Sequence, residues 1–244
     1  MHYLTLRLAA AGLWLGLASG CGLISSDVTD FALTLPDKKF TIDASNWKVD
    51  TAKASSLFTP DGKLMGLACG SSPSVCSSAV MAACPLGCTG SCNTTTSFCE
   101  LSLDISLSQP VDLLKEQPDL QTINSEPVIK VSIDSVTYNV TSNNLNVATP
   151  ELDLSVGPTT AASATDAQVK VVGTIPSIPA NTVTMGPQQL AFTPTGKAQL
   201  IDIMSHFKTP FSVWAGSSIK VAPGQALPTG KLEAVVKITG HAGL

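Results

Sequence analysis

Between Cys99 and Leu107 the chain reads CELSLDISL, and every second residue from Leu101 onward is leucine or isoleucine. A period of two puts Leu101, Leu103, Ile105 and Leu107 on one face of an extended strand. Glu100, Ser102, Asp104 and Ser106 fall on the other. A strand of this kind must bury its apolar face against a second layer, which directs the fold to packed or closed sheets.

The same period returns along the chain. Ile129, Val131 and Ile133 alternate, then Val136, Tyr138 and Val140 do so in the opposite phase. The change at Asp134-Ser135 predicts a β-bulge or a bend onto a second sheet. Further alternation occurs at Phe31 to Leu35, at Phe40 and Ile42, and at Leu152 to Val156. It recurs at Val169 and Val171, at Phe211 to Ala215, and at Leu232 to Ile238. Gly157-Pro158, Gly186-Pro187 and Pro223-Gly224 punctuate these runs as turns. About nine short strands predict an all-β fold, an antiparallel β-sandwich or open barrel, over residues 31–244. Short helices are expected at Val111 to Gln117, stopped by Pro118, and at Lys197 to Lys208. The second places Leu200, Ile203, Met204 and Phe207 on one face and caps the sandwich.

Residues 58–99 interrupt this pattern as a cysteine-rich insertion. Of seven cysteines, Cys69, Cys76, Cys84, Cys88, Cys92 and Cys99 fall within 31 residues. An even, clustered set in an exported chain predicts three disulfides, in any of 15 connectivities. The C-x3-C-x3-C spacing from Cys84 to Cys92 is the competing metal reading, but the cluster has no histidine, and thiolate ligands need reducing conditions. The segment is rich in Ser, Thr and Gly, and too poor in large apolar side chains to offset its own chain entropy. A short helix over Ser74 to Ala83 is expected, with loop for the remainder.

The first twenty residues carry one charge, Arg7, followed by eleven uncharged, mostly apolar residues from Leu8 to Ala18. That run suits the core of a signal peptide and is too short to span a bilayer, which needs about 20 residues. The stretch Leu17-Ala18-Ser19-Gly20-Cys21 resembles the lipobox of bacterial lipoproteins, with Ala18 where leucine is commonest. The resemblance implies cleavage before Cys21, lipidation of Cys21, a polar tether over 21–30, and attachment to the bacterial cell envelope. Gly22 in place of aspartate favours the outer membrane. Two or three acyl chains would make that attachment effectively permanent.

Removing Arg7 with the signal leaves 13 basic against 18 acidic residues, a net charge of −5. With no basic run, nucleic acid is not an expected partner. The expected partners are the membrane, through the lipid, and a protein, through the cysteine-rich segment. Residues 135–158, with TYNVTSNNLNVATPELDLSVGP, and the strand that ends the chain are similar in pattern to late-embryogenesis-abundant type 2 β-sandwich domains. That likeness implies a sandwich and carries no function.

Catalytic signatures are lacking. His206 and His241 are the only histidines after the signal, and no G-x-S-x-G or H-E-x-x-H motif occurs. GQALPTGK at 224–231 has one residue too many for a phosphate loop, and Leu232 stands where a hydroxyl should hold magnesium. Asp61-Gly62 is a turn without a calcium loop around it, and Trp47 and Trp214 are read as core. No catalytic residue, metal ligand or cofactor is therefore expected. The chain reads as a non-enzymatic binding or structural module. A carrier of lipid or another apolar ligand, lined by Leu101, Leu103, Ile105 and Val131, is the alternative, with an exported hydrolase behind it.

Overall fold

The computed structural model describes residues 30–243, apart from 71, 85 and 124. Two antiparallel sheets pack face to face. In chain order the elements begin with β1 (Phe31–Thr34) and β2 (Lys38–Asp43), then a 3-10 turn (Ala44–Trp47) and α1 (Ser74–Ala83). They continue with β3 (Cys88–Asn93), β4 (Phe98–Val111), α2 (Leu113–Glu116), a 3-10 segment (Pro118–Ile123) and β5 (Lys130–Asn143). Then come β6 (Leu152–Pro158), β7 (Lys170–Ile175), β8 (Gln188–Gln189), β9 (Ala191–Phe192), α3 (Gly196–Ser205), β10 (Phe211–Val221) and β11 (Lys231–Gly243).

The first sheet centres on β11, with β5 on one side and β1 and β2 end to end along the other; β8 adds two residues beyond β5. The second runs β3-β4-β10-β6-β7-β9. Leu101, Leu103 and Ile105 are all buried, as the period of two requires, and Ile105 faces Phe40, Ile42, Leu232 and Val236 across the core. Extension of that period through Val111 makes β4 fourteen residues long, so Val111 ends a strand where a helix start was expected. Pro110 fits because β3 pairs only with the first part of β4, where the missing N–H is not needed. Pro118 likewise begins the 3-10 segment after α2.

The phase change at Asp134 is a bulge: Thr239 pairs Ser135 while Gly240 pairs Ile133, so Asp134 has no opposite residue. Both halves of β5 thereby send their apolar residues into one core. A second bulge corrects the reading of β7. The register slips between Leu154 and Ser155, which turns Val172 inward and leaves Val171 partly exposed. Alternation through Val169 and Val171 therefore gave the wrong face.

Helix α3 caps one end, burying Leu200 and Met204, with Phe207 just beyond it. At that same end α2 is clamped by a shielded ion pair. Lys38 Nζ donates to Glu116 Oε1 at 2.6 Å and to the Pro110 carbonyl at 3.1 Å. The opposite end carries the cysteine-rich insertion. Its expected loop contains a strand, β3, which pairs with β4 and places Cys92 directly opposite Cys99. Nothing in CTGSCN signals a strand. Gly90 makes it workable, since a Cβ there would lie 2.4 Å from the Cys76 carbonyl on α1.

Candidate functional site

The six cysteines form three pairs at bonding distance: Cys69–Cys92, Cys76–Cys99 and Cys84–Cys88. The first two bonds interleave and tie α1 to the β3-β4 ribbon. The Cys69, Cys76 and Cys99 sulfurs also lie within 4.8 Å of one another, a spacing accounted for by the two adjacent disulfides. Around this stapled body Met81 and Leu86 are 68 % and 82 % exposed.

A second place was not foreseen from sequence. On the outer face of the second sheet lies an open groove of about 700 Å³. Its floor is Asp104 and Ser106 from β4, Gly216 and Ser218 from β10, and Asp153 and Ser155 from β6; residues 162–165 form its rim. The rim is seated by one hydrogen bond, from the Ala164 amide to Ser106 Oγ at 2.9 Å. Glycine is required at 216, because a Cβ there would come within 2.5 Å of the Ala164 methyl.

The electrostatics of the groove are one-sided. No lysine, arginine or histidine among the described residues lines it. Among the described residues neither the Asp104 nor the Asp153 carboxylate accepts a hydrogen bond or joins an ion pair. Burial raises the Asp104 carboxyl above its ordinary value. Burial, and then the neighbouring Glu151 charge, do the same to Asp153. Ser155 is 1 % exposed, and its hydroxyl is buried without a hydrogen-bond partner. Directly opposite it on β10, Trp214 also buries an unpartnered Nε1. An enclosed polar group in this state costs about 1–3 kcal/mol, so the Ser155 hydroxyl and the neighbouring Trp214 N–H are kept at some expense to stability.

The remaining candidates fall elsewhere. Trp47 is buried and donates from Nε1 to the Asp104 carbonyl at 2.8 Å. His206 Nδ1 lies 2.9 Å from the Asp202 carbonyl of its own helix, and His241 Nδ1 lies 3.0 Å from the Asp134 carboxylate at the bulge. GQALPTGK is a turn entering β11, with Lys231 Nζ 2.8 Å from the Asp43 carboxylate. Leu101, Leu103, Ile105 and Val131 are packed in the core, and a cavity between the sheets, lined in part by Ile105, is about 20 Å³. That volume holds one water and no acyl chain. Cys21 and the signal segment lie outside the described residues, and no described helix is long and apolar enough to cross a membrane. Compared with family models, curated proteins and solved structures, the chain shows no match.

Proposed function

We propose that this chain is a bacterial envelope lipoprotein, anchored through Cys21, that acts as a binding module and carries out no catalysis. The observation that carries the reading is the polarity of the sandwich. Phe31 leaves at the end where β1 pairs with the last residues of β11. The insertion sits beyond the other end, reached from Lys231↔Asp43 through Trp47 and the Asp50 amide bonded to the Ala83 carbonyl. Strand β11 has 13 residues, so these ends are separated by about 40 Å. A tether of ten residues spans at most about 35 Å. A lipid on Cys21 would therefore hold the α3 end near the bilayer and present the stapled insertion away from it. The three sulfur pairs also suit an oxidising compartment.

Labelling with radioactive palmitate tests the anchor. Wild type should take up label and fractionate with membranes, and Cys21→Ser should do neither; a soluble wild-type chain of unmodified mass sinks the proposal. Recognition through the insertion is tested by a pull-down from envelope extract with Met81→Glu/Leu86→Glu. Loss of a partner is expected, and an unchanged set of partners removes the insertion from the binding role.

A further inference from the structure

We infer that the groove on the outer face of the second sheet binds an aliphatic oligoamine, its ammonium groups held by Asp104 and Asp153 with Ser155 as a further acceptor. This deepens the reading of the chain as a binding module and rests on it. The groove is built for donors. Its side chains offer two carboxylates and several hydroxyls, and no cationic side chain among the described residues lines it to compete for them. Only a ligand rich in N–H or O–H groups, or a metal ion, satisfies such a lining.

Spacing separates these choices. Asp153 stands opposite Gly216 on one side of β10, and Asp104 stands opposite Ser218 on the other. Two strand spacings and a two-residue offset put their Cα atoms about 12 Å apart. Side chains stand roughly perpendicular to a sheet, so the carboxyl groups keep about that separation. Oxygens around one calcium ion are at most about 5 Å apart. One ion cannot join the two, whereas a flexible chain with amines at both ends can. Between the carboxylates Ala164 packs over the buried Gly216 and leaves its methyl as a small surface along which methylene groups can run. The volume of about 700 Å³ admits a molecule of that size with its hydration. The raised carboxyls fit this occupant, since an adjacent ammonium favours the charged form that burial disfavours. A sugar would satisfy the same acceptors, but among the described residues no aromatic ring lines the groove for it to stack on.

The test is calorimetric titration of spermidine into the full, detergent-extracted chain at low salt. One saturable site is expected. Asp104→Asn and Asp153→Asn should each weaken it by about tenfold, as loss of one charge-assisted hydrogen bond implies. The double variant should abolish it. Butylamine and calcium should bind at least about tenfold more weakly, because each reaches a single carboxylate. Ser218→Lys, which puts a competing ammonium on the groove floor, should abolish binding while Asp104, Asp153 and Ser155 stay in place. Absence of a saturable site, unchanged affinity in the double or Ser218→Lys variant, or calcium binding as tightly as spermidine would each overturn the inference. Failure here leaves palmitate on Cys21 unaffected, and an unlabelled Cys21 leaves the titration readable, so the two readings fail separately.

Discussion

Removing the Cys76–Cys99 bond is the perturbation that best probes how the insertion is held. Cys76 and Cys99 are 0 % and 1 % exposed, and their bond closes 23 residues. In the chain-entropy model a loop of that length contributes about 3.4 kcal/mol. The interleaved Cys69–Cys92 bond already restrains the unfolded chain, however. With that bond intact the shortest covalent circuit through Cys76 and Cys99 shrinks to about 15 residues, worth about 3 kcal/mol. Deleting two buried sulfurs adds about 1 kcal/mol for the space they leave. Cys76→Ala/Cys99→Ala should therefore lose about 4 kcal/mol. Cys84–Cys88 closes only four residues, so Cys84→Ala/Cys88→Ala should lose about 2 kcal/mol in loop entropy. Urea unfolding under non-reducing conditions, followed by tryptophan emission, measures both. Equal losses, or a loss below about 1.5 kcal/mol for the Cys76–Cys99 pair, would refute the argument from loop length.

Two further outcomes follow from charges. Lys38→Met should cost about 2–3 kcal/mol by stranding Glu116, whose Oε2 is already buried without a partner. Lys38→Met/Glu116→Leu should recover most of that in a thermal melt, and a double variant no better than the single removes the ion pair as the cause. Asp43 is held at about 2, below its ordinary 3.8, first by the hydrogen bond from Lys231 and then by Ser45. A depressed carboxyl stabilises above its unfolded value and loses that contribution as pH falls through the folded one. The stability gap between wild type and Asp43→Asn should thus be full above pH 4 and close towards pH 2, as read by melts at stepped pH.

Much of the core was legible because burial imposes a local rule. Leu101, Leu103 and Ile105 announce β4 two residues at a time, and the phase slip at Asp134 announces its bulge. The face of α3 is written in the spacing of Leu200, Met204 and Phe207. Local rules fail where the deciding neighbour is remote. Val171 and Val172 look interchangeable until β6 fixes which of them is the extra residue. Strand β3 carries no large side chain, and it is extended because Cys92 meets Cys99 and Gly90 admits α1. The groove was hidden for the same reason: Asp104, Asp153 and Ser218 are each only an outward polar residue on a strand.

The sequence alone determined that strands must form, which face of most of them is apolar, and that six thiols crowd one segment. All of these are properties of residues within a few positions of one another. Tertiary structure decided which strands are neighbours, which thiols bond, and that acidic residues from distant strands flank one open floor. Pairing joins residues 53 to 120 positions apart, as between β6 and β10 or β4 and β10. Its energy comes from whole ladders and a shared core, so no local window of sequence contains it.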